Sequence, residues 1–350
     1  MGYKYIIDIN NQSSVYLKTM RHRRADYDIK DEVHLTDTDD VRDAICTIFS
    51  SSFTQFNKTV LTRAFEDCDR LFEGDYPTYL PCDTLYHDKQ HTMDMTLALA
   101  RLIDGHDRSV AKDKQIGADR TVIAIITALY HDSGYIRHEH DHHHFNGAEY
   151  TTIHVTRSAD FLKRYLHKLD LGELSQIAAN MVHYTGYEVA PVNIRLPDAK
   201  WHRIGHMLGT ADLIAQMSDR CYLEKCRDRL FPEFVLGGLS VSTDKDGIEK
   251  VIYKSGEDLL SKTPLFYEYE VEKRLNCLFD KAYEYETVHF DGERHYIHGL
   301  GKNQAYLKKV LKAGDFSMLR RKLPENYGSK TFPGLETYMD QHPQKKLKTG

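Results

Sequence analysis

The stretch VIAIITALYHDSGY, residues 122–135, is the one from which the fold can be predicted. Its apolar first part is too short to cross a membrane and predicts a buried helix, which Gly134 would end. His131 and Asp132 would then lie in the last turn, where the helix dipole favours a cation. A buried carboxylate is costly unless something positive compensates it, and a divalent metal shared by the pair would do so. The alternative for an isolated His-Asp pair is a surface position at a helix end.

Composition and charge narrow the classes of function. The apolar content of 41% is ordinary and the formal net charge is −5, so no global feature indicates binding to nucleic acid or to an anionic membrane. No apolar run could span a bilayer, and the N-terminus lacks a signal-peptide core. The six cysteines include no CxxC pair, which is typical of reduced thiols. We therefore expect a cytoplasmic protein with no membrane or long nucleic-acid partner.

Apolar residues recur at helical spacing through most of the chain, which predicts an all-α fold. Helices are predicted at about residues 39–72, 84–103, 146–167, 171–184, 198–229, 264–285 and 302–323. His87 and His91 would share one face of the second of these, one turn apart. Asn146 and Glu149 have the spacing of a capping box. Residues 237–256 are rich in Gly, Ser, Thr, Asp and Lys, which indicates a loop or a small β insertion.

Four parts of the chain follow from these patterns. They are an N-terminal extension (1–38) with a short strand near residues 3–9, a core (39–235), an insertion with helices packing on the core (236–323) and a polar tail (324–350). The histidine-rich stretch 138–144 lacks a helical period, so we expect a solvated loop near the site. One of its histidines could reach into the site.

Polar residues that point into predicted helical cores recur along the chain. They are His91, His131, Asp132, His154, His183 and Asp212. One such group is usually a hydrogen-bonded structural residue, but six on successive helices are difficult to satisfy without a cation. Imidazole and carboxylate ligands suit Zn, Mn, Fe, Co or Ni, with Mg at an oxygen-rich second position. We therefore expect one or two divalent metal ions, which an adjacent Asp could bridge.

The order His, His-Asp, Asp on successive helices resembles the HD superfamily of metal-dependent phosphohydrolases, over about residues 85–220. The segment YHDKQH, residues 86–91, looks like the Tyr-His-Asn-x-x-His signature of cyclic nucleotide phosphodiesterases and their bacterial relatives, with Asp88 in place of Asn. The resemblance implies an HD-domain helical bundle. It also implies that metal-activated water hydrolyses a small phosphate ester, as in a nucleotide or cyclic nucleotide phosphodiester.

The resemblance also assigns roles to single residues. The metal ligands would be His91, His131, Asp132 and Asp212. His87 would protonate the leaving oxygen. His154 and His183 match the extra ligands of six-ligand HD branches, or else they are core histidines. Gln216 and Arg220 could line the pocket and contact a base or phosphate, or else form hydrogen bonds at the surface or between helices.

The sequence departs from one branch of the superfamily, and two other functions are compatible with the same residues. The HD-GYP branch has paired histidines and a Gly-Tyr-Pro, whereas this chain has a single His183 and then Gly186-Tyr187-Glu188, so cyclic di-GMP is not implied. An HD-fold di-iron oxygenase uses the same six-ligand order and would need iron and O₂. A non-catalytic HD protein would bind a nucleotide without turnover.

Overall fold

Helices dominate the structure, as the apolar periodicity predicts. The computed structural model describes residues 23–53 and 55–341. The α-helices are α1 (Thr38–Ser52), α2 (Lys58–Glu73), α3 (Lys89–Ser109), α4 (Ala118–Leu129), α5 (His154–Lys168), α6 (Ser175–Met181), α7 (Ala199–Ser218), α8 (Tyr222–Lys225), α9 (Phe231–Leu236), α10 (Gly256–Phe266), α11 (Tyr285–His289), α12 (His295–Ala313), α13 (Tyr327–Thr331) and α14 (Leu335–Gln341). The fold class is all-α, as predicted.

A small hairpin, three π-helical turns and several short 3₁₀ turns complete the regular structure of the described residues. The hairpin pairs β1 (Val241–Thr243) antiparallel with β2 (Glu249–Val251), inside the predicted insertion. One π-helical turn, Cys226–Leu230, joins α8 to α9, and the others, Tyr267–Val271 and Arg274–Leu278, follow α10. The hairpin and then α10 follow α9 in the chain.

Helix α3 is the central element of the fold. Its residues from Gln90 to Asp107 are all buried, and it contacts α1, α4, α7 and α11. A helix buried on every face belongs to the interior of a domain. Helix α4 is buried from Thr121 to Leu129 and packs on both α3 and α7. None of the described helices has both the length and the apolar character needed to cross a membrane.

The start of α3 differs from the predicted start in a way that matters for His87. The helix begins at Lys89, because the carboxylate of Asp88 caps it by accepting the N–H of His91 at 2.8 Å. An N-cap side chain replaces the hydrogen bond that the first turn of a helix lacks. His87 therefore lies before the helix, and the prediction that His87 and His91 share one helical face is wrong.

The end of α4 also differs from its predicted position. The helix ends at Leu129, and His131 and Asp132 follow it in a turn rather than occupying its last turn. Gly134 is not the helix stop, since Tyr130 is the C-cap. A Cβ atom at Gly134 would overlap the carbonyl oxygen of His154, so the glycine permits α5 to approach closely.

Three further helices are interrupted relative to their predictions. The pattern over residues 39–72 forms two helices, α1 and α2, which are separated after Ser52. Asn146 and Glu149 form the predicted capping box, but it opens only the 3₁₀ turn Gly147–Tyr150, and α5 begins at His154. Helix α7 ends at Ser218, where the chain turns before α8. The predicted continuous helix over residues 198–229 is therefore three shorter segments.

The described parts of both predicted terminal regions pack on the core. Asp28 is fully buried and pairs with Arg101 of α3. In the predicted polar tail, Asn326 donates a hydrogen bond to Asp88 at 2.6 Å, and Tyr338 is buried. Residues 23–37 and 324–341 are therefore parts of the same packed body, whereas the strand predicted near residues 3–9 lies outside the described residues.

Candidate metal centre

Four of the predicted ligands converge where α3, α4 and α7 meet. His91 is in the first turn of α3, His131 and Asp132 follow α4, and Asp212 belongs to α7; all four are buried. The Nε2 atoms of His91 and His131 are 3.4 Å apart. Asp132 Oδ2 lies 3.5 Å and 3.1 Å from these two nitrogens. Asp212 Oδ1 lies 3.2 Å and 4.0 Å from the same atoms, so side chains from three helices share one small space.

The donor atoms of this cluster fit a cation. His131 Nδ1 donates to the carbonyl oxygen of Ala128 at 2.8 Å, so its Nε2 is the nitrogen that can offer a lone pair. Asp132 Oδ2 is buried and lies near the two imidazoles, but it makes no hydrogen bond of good geometry among the described residues. A buried carboxylate oxygen without such a hydrogen bond is costly, and a divalent ion would satisfy it. His91, His131 and Asp132 are close enough together to hold such an ion.

Charges inside the cluster shift the pKa values of its members. Burial alone would lower the pKa of His131, but the neighbouring Asp132 carboxylate raises it to about 9. Burial alone would raise the pKa of Asp132, but His131, His87 and His91 hold it well below its ordinary value. A proton on His131 therefore occupies the position that a metal ion would take, and metal binding would displace it.

His154, at the start of α5, faces the same cluster. Its Nδ1 donates to the carbonyl oxygen of Thr151 at 2.7 Å, which leaves Nε2 with a lone pair 3.7 Å from Asp132 Oδ1. Burial lowers the pKa of His154, which favours the neutral imidazole that metals require. The structure thus brings His154 to the cluster as a possible additional ligand.

His87 lies at the edge of the cluster, in the loop before α3. Its Nδ1 is 2.6 Å from Glu233 Oε2 of α9, and Glu233 Oε1 accepts the backbone N–H groups of Tyr86 and His87. Burial would lower the pKa of His87, but the Glu233 carboxylate raises it to about 9. The ring stacks on Tyr135 at 4.5 Å between centroids, and Tyr135 stacks on His154 at 4.3 Å. His87 is therefore held as an imidazolium at neutral pH.

Glu233 is a site residue that the sequence interpretation missed. Its side chain is almost fully buried, with 1% exposed. A sequence signal did exist, because Glu233 is a single carboxylate within the apolar segment FPEFVL, residues 231–236. A lone buried carboxylate needs a positive or donor partner, and here that partner is the loop carrying His87.

Gln216 lies in the cavity wall, as predicted, but both ends of its side-chain amide form hydrogen bonds within the protein. Its Nε2 donates to Asp212 Oδ1 at 3.2 Å, and its Oε1 accepts the hydroxyl of Tyr86 at 3.0 Å. Gln216 is thus placed to orient Asp212. The first of these hydrogen bonds lies within α7, and the second joins α7 to the loop before α3.

The structure does not bring Arg220 or His183 to the cluster. Arg220 follows the end of α7 at Ser218, so the helical spacing from Gln216 no longer applies, and it does not line the cavity. His183 is half-buried in the 3₁₀ turn Val182–Thr185 that follows α6. Its Nδ1 has no hydrogen-bond partner among the described residues, and it too lies outside the cavity lining.

The histidine-rich stretch 138–144 forms an exposed loop, as expected. His140, His142 and His143 are exposed to solvent. His144 pairs with Asp141 at 3.0 Å. Within the part of the chain that the structure describes, no residue of this loop lines the cavity, so none reaches into the site.

The cluster opens into a cavity of about 480 Å³. This is a normal size for a small-molecule site. His87, His91, Asp132, His154 and Asp212 lie in its wall at the buried end. The rest of the wall is largely apolar and aromatic, and includes Tyr187, Leu213, Met217, Tyr222, Leu230, Phe234, Leu239, Tyr253, Leu259 and Phe266.

Comparison with known proteins gives a family. A family model described as Npun_R2479-like matches residues 78–304, which is more than half of the chain. The chain belongs to the Npun_R2479-like family. No curated protein and no solved structure gives a significant match. The Npun_R2479-like region contains every residue that lines the cavity, from Tyr86 to Phe266.

Proposed function

We propose that this protein is a metal-dependent phosphohydrolase of the HD type, which hydrolyses a phosphate ester. The observation that carries the proposal is the convergence of His91 and His131 with two carboxylates in one buried space. The resemblance to the HD superfamily implies these same residues as ligands. A divalent ion held there supplies a hydroxide nucleophile at neutral pH and neutralises charge on the phosphoryl oxygens.

His87 is the proposed proton donor to the leaving oxygen. Glu233 engages its Nδ1 at 2.6 Å, which leaves Nε2–H free to donate. The pKa of His87, raised to about 9 by the Glu233 carboxylate against the effect of burial, keeps this proton in place at neutral pH. A positioned general acid typically contributes about 10²–10⁴-fold in rate.

The resemblance by itself implies a nucleotide or cyclic nucleotide phosphodiester as the substrate. It also carries the choice of ions, Zn, Mn, Fe, Co, Ni or Mg, one or two of them. A cytoplasmic location stays a prediction that rests on the scattered cysteines.

A di-iron oxygenase is a second candidate, since His154 adds a fifth side chain near the cluster, 3.7 Å from Asp132. Oxygenases of this fold use six ligands in the order that includes His183. Among the described residues, no ion pair or hydrogen bond joins His183 to the cluster, as such contacts do for His91, His131, His154 and both aspartates, which favours the hydrolase.

Metal content and turnover of two variants test the proposal. Metal analysis comes first, followed by assays with phosphomonoesters, cyclic mononucleotides, cyclic dinucleotides and deoxynucleoside triphosphates. We expect His131→Gln to lose metal and activity. His87→Gln should keep its metal and lose about 10²–10⁴-fold in turnover, because only the acid is removed.

The control for these variants is His142→Gln, which changes an exposed histidine outside the cavity and should behave as wild type. Loss of metal from His87→Gln would mean that His87 is a ligand and not the acid. Turnover that requires both iron and O₂ would overturn the hydrolase in favour of the oxygenase. Tight nucleotide binding by metal-replete protein without turnover would indicate a non-catalytic function.

A further inference from the structure

We infer that the cavity binds a phosphate ester whose organic group is apolar, and not the nucleotide that the resemblance implies. The phosphoryl part of this inference rests on the proposed function. The organic part rests on the walls of the cavity alone, from the cluster to the opening. Three features of those walls carry it: their apolar lining, the hydrogen bonds of their polar side chains and their charge.

The lining between the buried cluster and the surface is largely apolar, with Thr152, Thr185, Glu188 and Lys262 among its polar members. Leu213 and Met217 belong to α7, the helix that carries Asp212. Phe234 belongs to α9 and Leu259 to α10. At the opening, Tyr187 and Phe266 are 56% and 43% exposed, with ring centroids 6.5 Å apart. An apolar group that binds along this wall would leave water, which is favourable in proportion to its area.

Several polar side chains in the wall donate their hydrogen bonds to the protein itself. The hydroxyl of Thr185 donates to the carbonyl oxygen of Val182 at 2.8 Å, and that of Thr263 donates to Leu259 at 3.0 Å. The amide of Gln216 is bonded to Asp212. The hydroxyls of a sugar or the edge of a base would lose their hydrogen bonds to water here and find few replacements.

The described wall has no unpaired lysine or arginine that could bind a second phosphate group. Among the residues that line the cavity, Lys262 is the one lysine or arginine, and its Nζ is paired with Asp258 at 2.8 Å. Glu188 adds negative charge to the wall, and the other cationic side chain, the His87 imidazolium, lies at the edge of the cluster itself. An anion would therefore be favoured only beside the metal cluster, which suits one phosphoryl group and disfavours a polyphosphate.

Alkylphosphonates test the inference without turnover, because their charged head is attached through a P–C bond that hydrolysis of an ester does not break. Methyl-, butyl- and octylphosphonate would be titrated into the metal-loaded protein by calorimetry. We expect affinity to rise about fourfold per buried methylene, and octylphosphonate to bind more tightly than adenosine monophosphate. Equal affinity for methyl- and octylphosphonate, or tighter binding of the nucleotide, would overturn the inference.

A matched pair of variants locates the apolar group. Phe266 lines the cavity, whereas Tyr269, 63% exposed and three residues further on, does not. Phe266→Ser should weaken octylphosphonate about threefold or more and leave methylphosphonate unchanged. Tyr269→Ser should change neither. The same loss in both variants would contradict the assignment of the wall.

Octanol separates a failure of this inference from a failure of the proposed function. It carries the apolar group without a phosphoryl head, so its binding should not need metal. If octanol binds and no phosphonate binds more tightly, the apolar wall is supported and the phosphohydrolase is not. If phosphonates bind in a metal-dependent manner with no effect of chain length, the hydrolase stands and the apolar inference is wrong.

Discussion

The two carboxylate oxygens of Asp132 face different histidines. Oδ2 is 3.1 Å from His131 Nε2 and 3.5 Å from His91 Nε2, whereas Oδ1 is 3.7 Å from His154 Nε2. Each oxygen of this carboxylate therefore lies beside an imidazole nitrogen. The adjacent His131-Asp132 pair is thus the centre of the cluster, as the sequence indicates.

Metal binding by this cluster should release protons at neutral pH. Asp132 raises the pKa of His131 to about 9 against the effect of burial, so below that pH the imidazole holds a proton that must leave. Apparent affinity for Zn²⁺ or Mn²⁺ should therefore increase with pH up to about 9 and then level off. Calorimetry in buffers of different ionisation enthalpy measures the released protons. Affinity that does not change between about pH 6 and 9 would contradict this pKa.

Gly134 should tolerate no side chain. A Cβ atom there would overlap the carbonyl oxygen of His154, so Gly134→Ala must move the start of α5 away from Asp132. Overpacking of this kind costs about 1–3 kcal/mol, and urea unfolding would measure it. Gly301→Ala is the control, because that helical glycine faces open space. Equal stability of Gly134→Ala and wild type would show that α5 can move without cost.

At the scale of elements, the loop that carries His87 is held from two directions. Glu233 of α9 binds the His87 side chain and the backbone N–H of Tyr86. Asp88 Oδ2 accepts a hydrogen bond from Arg229 at 3.1 Å and one from Asn326 at 2.6 Å. The segment before α13 therefore supports a loop that belongs to the site.

Removal of the Asn326 amide should loosen this loop. The amide nitrogen donates to Leu85 O at 2.9 Å as well as to Asp88, and Asn326→Ala leaves both acceptors without it. We expect a loss of about 1–3 kcal/mol in stability and a lower turnover with unchanged metal content. Thermal unfolding, metal analysis and the hydrolysis assay would be compared with Thr331→Ala, whose hydroxyl bonds only within its own helix. If Asn326→Ala matched Thr331→Ala in turnover and stability, the segment before α13 would not support the site.

The elements that could be predicted from sequence are those with local signals. The apolar run of α4, the capping box at Asn146 and the hairpin all lie within short windows of sequence. Leu85 fits the apolar period of α3, so the predicted helix begins at about residue 84. The N-cap at Asp88 instead starts the helix at Lys89. Glu233 and Asn326 could not be assigned, because their partners lie 146 and 238 positions away in the chain.

At the scale of the whole molecule, the cluster joins α3, α4 and α7, which also contact one another directly. An ion bound to all three would therefore stabilise the folded state. Binding at a concentration about 100-fold above Kd adds about 2.7 kcal/mol. Chelation should lower the melting temperature of wild type and of His142→Gln, and leave that of His131→Gln unchanged. Wild-type protein shown to contain metal, yet melting identically with and without chelator, would refute this.

The all-α class could be predicted from the sequence because helical periodicity is a property of each segment alone. Which parts of the chain pack into the same body could not be predicted in this way. The polar composition of residues 324–341 conceals Tyr338, which is buried against Ala148 and Leu236. Asp28 likewise becomes part of the interior because Arg101 of α3 pairs with it and the backbone N–H groups of Glu32 and Val33 donate to it.

The hydrogen bond from Asn326 to the carbonyl oxygen of Leu85 spans 241 positions of the chain. During synthesis on the ribosome, α3, α4 and α7 emerge long before Asn326 does. The proposed metal ligands have then all been synthesised, while the loop bearing His87 still lacks its last anchor. A nascent or truncated polypeptide that stops short of this asparagine would consequently capture its ion before it could turn over substrate efficiently.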